Sequence, residues 1–226
     1  MTFLIAEISN HHLGSIDKAK QLILAAKNSG ADAVKGQAFS RFDINFGTMP
    51  KEFYESCAMN YYQYRELIEF GEASGIPVFF TVLSVKLNAL LNRQKFKKIH
   101  ASLSSSAKKE RFYYWDRENV FLSMKEPRAD VKSIINAKIL YATEYMEDVD
   151  LEGYEALQKF YGRDIGVSHH GKRWDMLKEL KRLYKIPWIE KHFYLGDEID
   201  FQGHIYRDCL HSMTPKEFEV LAKEFK

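Results

Sequence analysis

The chain reads as an α/β protein, a single (β/α)8 barrel of the TIM type spanning residues 1–226. Eight short apolar runs alternate with helical patterns from end to end, which is the count of that barrel. No Gly-x-Gly-x-x-Gly follows the first run, which argues against a doubly wound sheet. No linker, low-complexity tract or repeat interrupts the alternation, so one domain is expected. The length lies below the ~250 residues usual for the fold, so the loops should be lean.

The runs fall at 3–8, 33–39, 77–83, 98–102, 120–124, 138–143, 164–168 and 187–193. After the first, Ile16–Asn28 sets Ala19, Leu22, Ile23 and Ala26 at spacings of three and four, one face of a helix. Ser29-Gly30 supplies its stop. A helix over 64–73 ends the same way at Ser74-Gly75, with Pro77 opening the next run. Residues 108–118, with Lys108, Lys109, Glu110 and Arg111, read as a solvated helix face. Thr214-Pro215 is an N-cap followed by proline at the first helical position, launching a last helix, Pro215–Phe225.

Composition narrows the function classes. The net charge is +2 and the Lys and Arg are scattered, which argues against a nucleic-acid partner. Cys57 and Cys209 are the two cysteines, too few for a disulfide framework, so a cytoplasmic location is expected. Met1-Thr2-Phe3-Leu4-Ile5-Ala6-Glu7 lacks a basic n-region, so no signal peptide is expected. No apolar run approaches the ~20 residues of a membrane span, so no membrane partner is expected.

In a barrel, chemistry gathers where the strands end. There the chain places Glu7 and Asn10-His11-His12, then Lys35 and Gln37, then Thr81 and Ser84. Lys98, His100 and Ser102 follow, then Ser123, Thr143-Glu144, Ser168-His169-His170 and Glu190-Lys191-His192. If the last two runs are neighbours, His170 and His192 emerge side by side as a metal pair. Lys35 and Lys98 would be costly to bury without an anion. A phosphate or carboxylate would neutralise them, and Ser and Thr hydroxyls would complete the cradle. The rim therefore points to a phosphorylated acid substrate and a carbonyl polarised by a metal. Blander readings stand beside these. A strand lysine often snorkels to a rim, and a single histidine more often makes structural hydrogen bonds than binds a metal. Glu7 is expected to pair with Lys191 or Lys35, and Cys209 to be a small apolar filler. A metallohydrolase on His11-His12 is disfavoured, because adjacent strand residues point to opposite sides.

Several segments in order resemble the sialic acid synthase family, the N-acetylneuraminate, pseudaminate and legionaminate synthases. Ala6-Glu7-Ile8-Ser9-Asn10-His11-His12-Leu13-Gly14 resembles the family's AEIGNNHNG opening, and Gly30-Ala31-Asp32-Ala33-Val34-Lys35-Gly36-Gln37 its GADAVKFQ. Lys98-Ile99-His100-Ala101-Ser102 is similar to KIAS, Glu147-Asp148-Val149-Asp150-Leu151 to EDVNL and Gly166-Val167-Ser168-His169-His170 to GxSDH. Ile189-Glu190-Lys191-His192-Phe193 matches IEKHF. The resemblance implies condensation of phosphoenolpyruvate with an N-acetyl amino sugar, assisted by a divalent metal, for sialic acid and surface polysaccharide biosynthesis. It implies His170 and His192 as metal ligands, with manganese expected and magnesium or cobalt as alternatives. It implies Lys35, Thr81, Lys98, Ser123 and Ser168 around phosphoenolpyruvate, with Gln37, Ser102 and Glu144 as further substrate-side candidates.

The chain departs from the pattern at Leu13, Leu103, His169 and Ser123-Met124-Lys125. The family's late Asp-His motif falls either on His204 or on Asp208-Cys209. The barrel alone is expected, without the family's C-terminal antifreeze-like domain, and a homodimer is one expected form. The alternative function is a catalytically degenerate relative that binds a phosphorylated ligand or a partner protein.

Overall fold

The computed structural model describes residues 1–42, 49–84, 86–87, 90, 93–100, 119–127 and 137–226, and of 97–100 the backbone alone. Ser102, the 108–118 stretch and the Lys98 side chain lie outside the described residues. All eight apolar runs are strands: β1 Phe3–Glu7, β2 Ala33–Ala38, β3 Val78–Val82, β4 Lys97–His100, β5 Val120–Met124, β6 Lys138–Ala142, β7 Gly166–His169 and β8 Trp188–His192. They form one sheet in the order β3-β2-β1-β8-β7-β6-β5-β4. Every pairing is parallel.

The sheet is curled. Ile5, Ala33, Phe79, Phe96, Phe121 and Leu140 form one apolar cluster, with Phe3 and Trp188 packed against it. These residues come from strands spread across the whole sheet order, so they meet only because the sheet bends round on itself. Phe79 of β3 lies 5.6 Å from the Phe96 ring, just before β4, and 6.1 Å from Phe121 of β5. The other face, including Leu4, Ala6, Val34, Val78, Leu122, Ile139, Val167 and Ile189, packs under the helices. Side chains alternate across a strand, so each strand divides cleanly between the two environments.

Along the concave face the chemistry changes with height. Ile5 gives way to Glu7, Ala33 to Lys35 and Gln37, Phe79 to Thr81 and Phe121 to Ser123. Trp188 gives way to Glu190 and His192, and Gly166 to Ser168. An apolar plug thus fills the N-terminal half, and a polar layer stands at the C-terminal rim. Gly166 is required by the packing: a Cβ there would lie 2.3 Å from the Trp188 carbonyl oxygen.

The helices hold this arrangement from outside. α1, Ile16–Asn28, buries Ala19, Leu22, Ile23 and Ala26, the face read from the sequence, and the Ser15 hydroxyl caps it. A short helix α2, Lys51–Cys57, precedes α3, Tyr61–Ala73. α3 begins before the 64 expected from its periodicity, because Asn60 and Gln63 form a reciprocal capping box that nucleates an earlier turn. α4, Leu151–Tyr161, is capped by Asp150, and α5, Asp175–Leu183, follows β7. α6, Pro215–Phe225, is capped by Thr214 and Glu217. Among the described residues, no helix is long and apolar enough to cross a membrane.

The plug makes Phe121 a sensitive position, since its fully buried ring packs on Phe79, Phe96 and Trp188. Phe121→Ala should lose about 3–5 kcal/mol in equilibrium urea unfolding. A loss under about 1 kcal/mol would be the signature of a surface aromatic and would contradict the plug.

Candidate functional site

The polar layer centres on Lys35, which is 1% exposed. Its ammonium contacts Glu7 Oε2, and Glu190 Oε1 at 3.3 Å. Ser168 Oγ donates to the same Glu190 oxygen at 2.8 Å, and the Ser9 N–H donates to Glu7 Oε1 at 2.7 Å. Of the two partners weighed for Glu7, it takes Lys35. Lys191 falls on the opposite face by alternation and donates to the Gly171 carbonyl. His169 falls on that outer face too, with Nε2 3.5 Å from Asp148.

The charges in the layer are unequal. Burial pushes the Glu7 carboxyl up to about 7, against the pull of Lys35 and with a further push from Glu190. Burial works against the Lys35 charge, but Glu190 and Glu7 prevail and hold its pKa above the ordinary lysine value. The anions that a buried Lys35 needs are therefore carboxylates of the chain itself.

The other predicted residues divide. Thr81 is buried, and its Oγ1 has no hydrogen-bond partner. Ser123 and Ser168 are buried at the ends of their strands. Gln37 Oε1 accepts from Asn10 Nδ2 at 3.4 Å. Glu144 stands exposed, with its carboxylate 2.5 Å from the Lys125 ammonium. His11 Nε2 meets Ser212 Oγ at 3.1 Å, and His12 Nδ1 accepts the Gly14 N–H at 3.0 Å, so both engage the loops around them.

Above this layer the histidines gather. The His170 and His192 rings are 5.3 Å apart, as the adjacency of β7 and β8 requires. His211, which the sequence reading did not single out, lies 4.4 Å from the His192 ring and 5.8 Å from the His170 ring. One ligand atom each from His192, Asp208 and His211 fall within 4.8 Å of one another.

Second contacts prepare these groups. His170 Nδ1 donates to the Thr143 carbonyl at 2.9 Å. A carbonyl only accepts, so this tautomer puts the lone pair on Nε2. His192 Nδ1 and both ring nitrogens of His211 are buried without hydrogen-bond partners. Burial lowers the His192 pKa well below the usual imidazole value. It takes His211 to about 3, although Asp208 pulls the other way. Both rings are therefore neutral at pH 7, which leaves their lone pairs available to a cation. Asp208 Oδ2 accepts from Ser9 Oγ at 2.5 Å and Tyr206 Oη at 2.6 Å, and lies 3.7 Å from His192 Nδ1.

Of the two placements considered for the late acidic motif, Asp208 faces the cluster. His204 stands exposed on a small hairpin, β9 Asp200–Phe201 with β10 His204–Ile205. Asp208 belongs to a single 3-10 turn, Arg207–Leu210, with His211 as its C-cap. Side chains three apart on such a turn eclipse one another, so Asp208 and His211 face the same way. The Asp-x-x-His spacing after the eighth strand was the signal available in the sequence.

Removing the central cation tests the polar layer. Lys35→Met leaves Glu7 and Glu190 buried against each other, which should cost about 3–5 kcal/mol at neutral pH. Without the ammonium, the Glu7 carboxyl has a folded pKa still further above its unfolded one. The folded state then binds the extra proton, so stability is retained at low pH and lost as pH rises from the unfolded value to the folded one. Urea midpoints of the variant and the unaltered chain should thus diverge from about pH 5 to pH 8. A pH-independent gap would contradict the assignment.

No family model matches the chain. An uncharacterized protein of Methanocaldococcus jannaschii is 28% identical, over 100% of this chain and 70% of its own length. A pseudaminic acid synthase of Campylobacter jejuni is 26% identical, over 97% of this chain and 71% of its own. Among solved structures, the N-acetylneuraminic acid (sialic acid) synthetase of Leptospira borgpetersenii superposes with a TM-score of 0.77 at 22% identity. That match covers 99% of this chain and 82% of the other, and at such identity it speaks to the fold. The chain is thus similar in sequence to a pseudaminic acid synthase and in fold to a sialic acid synthetase.

Proposed function

We propose that the chain is a closed (β/α)8 barrel that condenses phosphoenolpyruvate with an N-acetyl amino sugar in the cytoplasm, yielding a sialic-acid-type sugar acid for surface polysaccharide. The observation that carries this reading is the meeting of His170 and His192 directly above a buried layer of Lys35, Thr81 and Ser168. Closure is supported by the Phe79, Phe96 and Phe121 rings, which bridge the two ends of the sheet order.

The donors fit a divalent metal: His192 offers a buried nitrogen without a hydrogen-bond partner, and the His170 tautomer leaves Nε2 as the basic atom. A divalent ion held by His170 and His192, manganese by expectation, would supply Lewis acidity to the acceptor aldehyde. The remaining roles fall to the protein. Thr81 and Ser123 would turn hydroxyls to the phosphate and carboxylate of phosphoenolpyruvate, joined by Ser168 on leaving Glu190, and Lys35 would meet their charge as Glu7 takes up a proton, with Lys98 expected beside it. A third anion beside Lys35 raises the pKa of Glu7 further, so Glu7 would meet the substrate protonated.

In the reaction C3 of phosphoenolpyruvate forms a bond to the aldehyde carbon, and the aldehyde oxygen takes up a proton and becomes a hydroxyl. Water adds at C2 and gives up a proton. The hydroxyl thus formed on C2 passes its remaining proton to the departing phosphate as the bond from C2 to the phosphate oxygen breaks, so inorganic phosphate leaves and C2 becomes a ketone. Glu7, with its pKa about 7, is suited to hold or release a proton at neutral pH.

Phosphate release from phosphoenolpyruvate, measured with manganese and a panel of N-acetyl amino sugars, tests the reading. At least one sugar should support release, and His192→Ala should lower kcat by at least about 100-fold, equivalent to several kcal/mol of lost Lewis-acid stabilisation. Phosphoenolpyruvate binding without release, whatever the sugar, would replace the synthase with a binding protein on the same frame.

A further inference from the structure

We propose that Asp208 and His211 are ligands of the same ion as His192 and His170, giving a centre of three imidazoles and one carboxylate that selects zinc or cobalt over magnesium. This deepens the metal reading above and rests on it. Four observations converge. His211 is 2% exposed, and neither of its ring nitrogens has a hydrogen-bond partner. Two buried, unsatisfied polar atoms on one side chain are expensive unless a ligand satisfies them. The His211 ring is closer to His192 than His170 is, at 4.4 Å against 5.3 Å. His192, Asp208 and His211 bring their donor atoms within 4.8 Å, a spread that one ion can draw together.

Asp208 is also held as a ligand would be. Ser9 and Tyr206 both donate to its Oδ2, which fixes the carboxylate plane beside His192. Such outer contacts orient first ligands in metal sites generally. The backbone supplies the spacing: the Ser212 N–H donates to the Asp208 carbonyl at 3.1 Å and the Met213 N–H to the His192 carbonyl at 2.8 Å. The turn that carries Asp208 and His211 is thereby tied to the end of β8.

The donor set has a chemical consequence. Imidazole suits zinc, cobalt and iron, whereas magnesium takes oxygen ligands and keeps its waters. Each added imidazole widens that gap. With four protein donors, an acceptor oxygen binds only to a five- or six-coordinate ion, which zinc and cobalt accommodate.

The test uses the full chain, stripped with a chelator and titrated with cobalt(II), in the unaltered form and as His211→Cys, His211→Ala and His192→Ala. The unaltered chain should bind cobalt with visible ligand-field bands and bind magnesium far more weakly. His211→Ala should weaken cobalt binding by at least about tenfold, the lower bound seen when even an outer contact of a metal site is lost. His211→Cys should add a near-ultraviolet thiolate-to-cobalt charge-transfer band absent from the unaltered chain. Only a thiolate on the ion gives that band, so a merely structural histidine would not produce it. Cobalt binding that His192→Ala abolishes, but that His211→Ala leaves unchanged and His211→Cys leaves without the new band, would overturn this proposal and spare the two-histidine site. No cobalt binding by the unaltered chain would overturn both.

Discussion

A lysine ammonium sealed inside a sheet must be met by negative charge, and the interior of this protein is arranged around that requirement. Lys35 sits between Glu7 of β1 and Glu190 of β8, the two strands that flank one another at the middle of the sheet order. β1 pairs with β2 on one side and β8 on the other, so the ion cluster spans three adjacent strands, with Glu7 in register with Lys35 and Glu190 in register with Ile5. The position along each strand matters. Two residues earlier, the same strands present Ile5, Ala33 and Trp188 to the aromatic plug. A register slip of one residue would put the charges under the helices and the aliphatic residues on the concave face. The buried charges therefore specify the register as strongly as the apolar residues do.

Two carboxylates on one ammonium leave the layer with surplus negative charge unless a proton is held, and burial raises the Glu7 pKa to about 7, where it can hold one. The histidine cluster above is built by the opposite logic. Burial keeps the His192 and His211 imidazoles uncharged, so each offers a lone pair rather than a charge. The Lys35 charge of the lower layer is met by Glu7 and Glu190, whereas the upper layer turns neutral nitrogen donors toward one another.

Much of this was legible in the sequence because strand alternation is a local property. Glu7, Lys35, Ser168, Glu190 and His192 are read inward by counting residues along single strands, and the meeting of His170 with His192 needs only that β7 and β8 be neighbours. What escaped depends on contacts distant in sequence. Asp208 was one of two candidates, because only the fold separates a residue facing the cluster from His204 on an exposed hairpin. His211 was missed because a single 3-10 turn leaves no periodicity to detect. Glu144 fits a rim position by count, yet in the fold it turns to Lys125, since the chain has already left the strand at Ala142. The early start of α3 was hidden for a related reason: a capping box is a reciprocal side-chain interaction, and the apolar spacing of 64–73 carries no trace of it.

Ser9 joins the two layers and shows how tightly they are bound together. Its backbone has φ of 43°, in the left-handed region where a residue with a Cβ is disfavoured by about 1–2 kcal/mol. Glycine would accept that conformation freely, and the family's opening motif has glycine at the corresponding place. The serine is held there by what it touches on both sides. Its N–H donates to Glu7, and its hydroxyl donates to Asp208 while meeting the Tyr206 hydroxyl at 2.7 Å. One fully buried residue thus positions a carboxylate of the ion cluster and the carboxylate beside the histidines. A shift of Glu7 away from Lys35 would pull on the Ser9 peptide, and the same peptide carries the hydroxyl that fixes Asp208. The strain is consistent with a loop whose conformation is set by these two carboxylates rather than by its own backbone preference, which is why a glycine position tolerates a side chain here.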